Sequence, residues 1–174
     1  SAGNTGGPVD YTGITGATVT QGNTESISVT LFNSGNYTEY IYAWFDWNQN
    51  GSFADPGEYY LVAGPVTTVG PHTASIQIPI TATLGTTRMR VMMEYLNSVP
   101  NPCQSATYGE TEDYCVTVTG GSSGCTDPNA CNYDPAVTVD DGSCILPDGC
   151  TDPIACNYDA SAMCDDGSCM LPDG

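Results

Sequence analysis

The stretch YIYAWFDWNQNGSFADPGE, Tyr40 to Glu58, starts as a strand and ends as a polar loop. Ile41, Ala43, Phe45 and Trp47 alternate with Tyr40, Tyr42, Trp44 and Asp46. That two-residue period puts successive side chains on opposite faces of a pleated strand. The same period recurs around it. Ile27, Val29 and Leu31 alternate with Ser26, Ser28 and Thr30, and Ala74, Ile76, Ile78 and Ile80 alternate with Thr73, Ser75, Gln77 and Pro79. Further strands are expected near Glu58–Ala63, Thr86–Tyr95 and Glu112–Thr119, separated by turn pairs at Ser34-Gly35, Gly64-Pro65 and Gly70-Pro71. No segment holds a 3.6-residue period. Short alternating strands over the first 119 residues predict an all-β fold, an antiparallel β-sandwich of jelly-roll or immunoglobulin-like type.

A Gly/Ser run at 120–124 reads as a flexible linker, and beyond it the chain repeats itself. CTDPNACNYDPAVTVDDGSCILPDG, residues 125–149, returns as CTDPIACNYDASAMCDDGSCMLPDG, residues 150–174. Units this small cannot bury an adequate core and depend on cross-links. The simplest pairing closes each unit through its outer cysteines, Cys125 with Cys144 and Cys150 with Cys169, and adds Cys156 with Cys164 inside the second. Cys103 would pair with Cys115 in the sandwich, leaving Cys131 free or bonded to a cysteine outside this stretch. Spacing alone does not fix connectivity. The repeat is expected to continue in a longer parent, of which this chain is a mature form or an excerpt.

Composition narrows the function. Twenty acids face two bases, Arg88 and Arg90, in 174 residues. Nucleic-acid backbones and anionic membrane surfaces are therefore poor partners, because both are held by clustered Lys and Arg. Half of the acids lie in residues 120–174, all of them Asp and with no base beside them. Such self-repulsion has to be restrained by covalent or metal cross-links. Nine cysteines, seven in that segment, with only one His in the chain, fit an oxidising extracellular compartment better than a reduced zinc protein.

The loop that ends the opening stretch follows calcium-loop logic. A calcium loop offers hard oxygen ligands at every second position and a glycine where the chain bends. Asp46, Asn48 and Asn50 occupy positions 1, 3 and 5, Gly51 position 6, and Ser52 can offer its carbonyl at position 7. The closing acids depart from the EF-hand count, with Asp55 at position 10, Gly57 at 12 and Glu58 at 13. Two Asn in place of Asp lower the ligand charge, so any calcium site here is expected in the weak extracellular range, Kd about 10⁻⁴ to 10⁻³ M. The competing reading is a solvated loop whose side chains bond their own backbone.

Other constellations are weaker. Glu110, Glu112 and Asp113 cluster in TYGETEDYCVTV, Thr107–Val118, and charge-assisted pairing with Arg88 and Arg90 explains them better than catalysis. His72 stands alone in a turn, and no GxSxG elbow precedes a helix. Tyr40, Tyr42 and Trp44 share one strand face and are read either as a sugar-stacking platform or as packing. Asp134, Asp140 and Asp141, with their counterparts Asp159, Asp165 and Asp166, are either further calcium ligands or turn residues.

The runs YIYAWFDWNQNGSFADPGE, IPITATLGTTRMRV and YGETEDYCVTV, taken in order, resemble the GEVED domain, a β-sandwich module of secreted Bacteroidota proteins. The resemblance spans about residues 9–119. Its eponymous motif reads Gly109-Glu110-Thr111-Glu112-Asp113, with Thr where the name has Val. The tail resembles CTDPxAxNYDPxAxxDDGSC repeats of large surface proteins from the same bacteria. The resemblance implies export, through the type IX route, and a multidomain parent. It carries over no catalytic residue.

The expectation is therefore a non-catalytic, extracellular, calcium-stabilised module at the cell surface. It would serve adhesion to surface or matrix glycans or proteins, or act as a structural unit that self-associates into a fibre or filament. The alternative is a carbohydrate-binding accessory of a secreted hydrolase or peptidase.

Overall fold

The computed structural model describes residues 8–14, 16–32, 37–95, 101–104, 106, 108–146 and 148–172; the expected turn at Ser34-Gly35 lies outside them. The chain divides into two compact units, residues 1–120 and 121–174.

In the first unit the strands are β1 (Val9–Asp10), β2 (Ala17–Thr20), β3 (Thr24–Leu31), β4 (Glu39–Phe45), β5 (Tyr59–Val66), β6 (Gly70–Gln77), β7 (Gly85–Tyr95) and β8 (Gly109–Thr119). The larger sheet runs β1-β8-β7-β4-β5, with β2 also on β8, and β3 pairs with β6 in a second sheet of two strands. Ile41, Ala43, Phe45, Val91, Val116 and Val118 of the large sheet form one buried cluster with Ile76 of β6, and Ile27 and Val29 of β3 pack against it. This is the core of the expected sandwich, an all-β fold.

Three details depart from the sequence expectation. The large sheet is mixed, because β1 and β2 run parallel to β8. Their two and four residues carry too little pattern to announce a strand. The six-against-two division also departs from the more even split of jelly-roll or immunoglobulin-like sandwiches. Finally, Gly64-Pro65 and Gly70-Pro71 lie inside strands and are not turns. The first is tolerated because β5 is an edge strand with a register shift against β4. Gly64 is needed there, since a Cβ would come within 2.5 Å of the Tyr40 ring.

The second unit is built from four two-residue strands, β9 (Ser123–Gly124), β10 (Val139–Asp140), β11 (Asp148–Gly149) and β12 (Cys164–Asp165), paired β9 with β10 and β11 with β12, both parallel. The last two residues of the expected linker thus belong to the first repeat. Each repeat is held by side-chain bonds that recur 25 residues on. Asn132 donates to the Ser143 carbonyl and accepts from the Ile145 amide, and Asn157 does the same with Ser168 and Met170.

Disulfides join Cys125 to Cys144 and Cys150 to Cys169, with Cα separations of 4.7 and 4.8 Å. The other expected pairings are corrected. Cys131 is not unpaired: it is bonded across the repeats to Cys164, and Cys156 is an exposed thiol. The reason is positional, because Cys164 sits 4.0 Å from the carbonyl of Ile145 in the first repeat, the carbonyl that also receives the Cys131 amide. Cys103 and Cys115 are both free thiols. Pro102 beside Cys103 is anchored through its carbonyl to Arg90, which faces Asp113, two residues short of Cys115 on β8.

Candidate metal centre

The loop from Asp46 to Glu58 connects β4 to edge strand β5, so its two ends are clamped by a β-ladder. The Phe45 amide bonds the Glu58 carbonyl at 3.0 Å, and the Asp46 amide bonds the Arg88 carbonyl at 3.1 Å. Above this base the chain turns through Gln49 at φ 57, Gly51 at φ 82 and Gly57 at φ 86. Phe45 and Trp47 stack at 4.6 Å in the core, and the Trp47 indole donates to the Tyr60 hydroxyl. The loop therefore starts from a rigid aromatic floor.

Within it, Asp46 accepts from the amides of Asn50 and Gly51 at 3.0 and 2.9 Å. Asn48 also accepts from the Asn50 amide, and the Asn50 side chain accepts from the Ser52 amide while donating to Asp55 at 2.8 Å. Glu58 reaches back to the Asn48 amide at 3.4 Å through Oε1. The structure thus brings Asp46, Asn48, Asn50, Asp55 and Glu58 into one network. The Ser52 hydroxyl is turned to the Ala54 amide, so it braces the loop.

Burial sets the electrostatics. Glu58 is 2% exposed, and its Oε2 is buried with no hydrogen-bond partner. Desolvation, reinforced by the negative charges of Asp46 and Asp55, pushes the Glu58 carboxyl above its ordinary pKa. A buried, unpartnered carboxylate oxygen aimed among other acids is costly. A hard cation would offset that cost, while the side-chain oxygens of Asp46, Asn48 and Asn50 already accept amides of their own loop, the arrangement of the competing solvated-loop reading. The donors are of mixed type: among the described residues no group of three or more His, Cys, Asp or Glu converges tightly enough to hold a metal by those side chains alone. Any site here must draw on the amide oxygens of Asn48 and Asn50, backbone carbonyls and water.

The raised Glu58 pKa has a definite sign. A carboxyl whose folded pKa exceeds its unfolded value favours folding while protonated, and that contribution is lost as pH rises through the folded value. In chelator, the wild-type chain is therefore expected to lose stability relative to Glu58→Gln as pH rises above the ordinary carboxylate range, as read from paired thermal melts. Parallel curves would contradict this.

Sequence reasoning missed several supports. Thr87, buried on β7, donates its hydroxyl to the Asp46 carbonyl. The Gln49 side chain bonds the Thr83 carbonyl at 2.9 Å, tying the loop to the segment before β7. Phe53 lies under the Arg90 guanidinium, 5.4 Å from its carbon. None has a local signature, since each depends on which strand the fold brings alongside.

The acidic motif on β8 is sorted by strand parity. Asp113 stands directly across from Arg90 and is bonded twice, at 2.7 Å to both Nε and Nη2. Glu110 and Glu112, even-numbered, point to the opposite face and do not pair with the arginines as expected. Glu112 instead accepts from the Tyr114 hydroxyl at 2.6 Å. Arg88 is exposed, and its charge helps hold the Asp10 carboxyl below its usual range, after the bonds from Thr12. Gly109, at the head of the motif, has no room for a Cβ, which would run into the Met93 carbonyl.

The remaining candidates carry no reactive arrangement. The His72 ring is engaged with the Thr68 carbonyl at 3.0 Å. Tyr42 and Trp44 are 1% and 2% exposed, packed with Met92, Tyr40 and Phe53. In the tail, Asp134, Asp140, Asp141, Asp159, Asp165 and Asp166 each accept a backbone amide two residues on, the arrangement of turn residues.

Residues 40–117 match the GEVED domain family, whose members are small, β-rich, non-catalytic modules. That match takes in the candidate loop and the whole GETED motif. A comparison with curated proteins gave no match.

Proposed function

We propose that the chain is a non-catalytic, calcium-stabilised extracellular module of a larger bacterial surface protein, serving adhesion or the build of a surface fibre. The observation that carries the calcium part is the buried, unpartnered Oε2 of Glu58 inside a loop of acids and amides. Asp46, Asn48, Asn50, Asp55 and Glu58 would hold the ion, with the carbonyl of Ser52 as a further oxygen. Bound calcium supplies positive charge that neutralises the loop and so favours the closed β4–β5 connection. The three disulfides of the tail suit an oxidising compartment, and export by the type IX route is part of this reading.

The buried aromatic face bears on the alternative. A sugar-binding accessory needs exposed rings to stack on; of the three expected, Tyr42 and Trp44 are covered and Tyr40 is half-buried, with Tyr59 the exposed ring beside them. The structural and adhesive reading is therefore preferred. Calorimetric titration with calcium tests it: the wild-type chain is expected to bind one ion with Kd about 10⁻⁴ to 10⁻³ M, and Asp46→Ala to bind none. Equal heats for the two chains would reject the site.

A further inference from the structure

The two repeats meet through a junction whose parts are spread over both. From the first come Cys131, its seventh residue, and Ile145, its twenty-first. The Cys131 amide bonds the Ile145 carbonyl at 3.3 Å. From the second comes Cys164, its fifteenth residue, 4.0 Å from that carbonyl and bonded to Cys131 with a Cα separation of 6.1 Å. Beside them, the last two residues of the first repeat, Asp148–Gly149, pair in parallel with Cys164–Asp165. The strand that completes the junction leads directly into Cys150, so the contact is that of units in tandem.

The second repeat carries the same first half. The Cys156 amide bonds the Met170 carbonyl at 2.8 Å, as Cys131 bonds Ile145. Cys156 itself is an exposed thiol. The apolar pair that follows is more open as well: Leu171 is 57% exposed against 42% for Leu146, and Met170 60% against 40% for Ile145. The cysteine pattern agrees. The first repeat has Val139 at its fifteenth position, where its parallel partner is Ser123 and the preceding segment has no seventh-position cysteine, whereas the second has Cys164, whose mate is Cys131.

We propose that the face of the second repeat formed by Cys156, Met170 and Leu171 is a docking site for a further repeat in tandem, locked by a disulfide from that repeat's fifteenth-position cysteine to Cys156. The bond forms by exchange with a small-molecule disulfide such as oxidised glutathione. The incoming cysteine is first converted to its glutathione mixed disulfide, releasing one glutathione thiol. The Cys156 thiolate then attacks the protein sulfur of that mixed disulfide and expels the second glutathione as thiolate. Two protein thiols are oxidised and one glutathione disulfide is reduced.

The test extends the full chain by a third copy of its 150–174 sequence, oxidises it in a glutathione buffer, and maps the disulfides by non-reducing mass spectrometry. The expected product joins Cys156 to the fifteenth-position cysteine of the appended unit, and iodoacetamide labelling of Cys156 falls at least tenfold. With valine at that position, Cys156 labels as it does in the unextended chain. Continued labelling of Cys156 while the appended unit's outer disulfide has formed would overturn the proposal, as would a bond from Cys156 to Cys103, Cys115 or the Cys156 of a second chain. If the appended unit fails to close its outer disulfide, Cys131→Ser in the unextended chain decides. Because Cys156 and Cys164 serve opposite junctions, both are expected to remain thiols in that variant. A Cys156–Cys164 bond would contradict the geometry.

Discussion

Replacing Asp113 by Ala is expected to destabilise the sandwich by about 3 kcal/mol in urea unfolding, while Glu110→Ala changes it by no more than about 0.5 kcal/mol. The two acids stand three residues apart in one motif, and strand parity separates them. Asp113 faces Arg90 with two parallel bonds at 2.7 Å, and the paired side chains keep only 14% and 12% exposure. Removing the acid leaves a largely desolvated guanidinium whose charge Asp113 had stabilised. The loss spreads, because Arg90 also holds the Pro102 carbonyl and lies over Phe53 of the candidate loop. Arg90→Ala should cost a similar amount, and the double variant less than the sum of the two. Equal effects at Glu110 and Asp113 would refute the assignment.

Gly109→Ala is expected to be as damaging, about 3 kcal/mol or more, and to deprive the chain of a cooperative unfolding transition. Gly109 pairs with Glu94 in the β7–β8 ladder, and a methyl group there would collide with the Met93 carbonyl, which belongs to backbone that cannot turn aside. The strands would have to separate at this end of the ladder, four residue pairs from Arg90 and Asp113. Gly120→Ala, with open space around its Cβ position, is the control and should melt near wild type. A normal melt for Gly109→Ala would show that β7 and β8 are not packed as described.

These two residues also show what the sequence carried. The GETED motif was visible as a motif, yet its parts act separately: Gly109 for clearance, Asp113 as a clasp, Glu112 as an acceptor for Tyr114. Parity along β8 is enough to sort the acids, since 110 and 112 cannot face the side that 113 faces. The strands with strong alternation were legible because burial on one face imposes it. The aromatic run of β4 was ambiguous because both of its faces are covered, Ile41 and Phe45 against the other sheet and Tyr42 and Trp44 beneath Tyr59 and Phe53. The parallel strands β1 and β2 and the edge location of Gly64-Pro65 depend on distant partners, which local pattern does not encode.

The repeat shows the same limit. Its period and outer disulfides follow from spacing, because each closes a loop within one unit. The Cys131–Cys164 bond depends on how one unit abuts the next, and only the folded chain brings the seventh and fifteenth positions together. In the candidate loop, the proposed ligands Asp46, Asn48, Asn50, Asp55 and Glu58 were readable as a pattern of oxygens, and the structure joins them in one hydrogen-bond network. The burial that makes Glu58 costly without a cation was not readable.

Thermal unfolding of the full chain with about 10 mM calcium and again with chelator tests the central claim most directly. A Kd near 10⁻³ M implies about 1.4 kcal/mol of added stability by mass action, a rise of about 5 °C in the melting temperature of the sandwich. Asp46→Ala should melt at one temperature in both buffers. A wild-type chain that melts identically with calcium and with chelator would contradict the account.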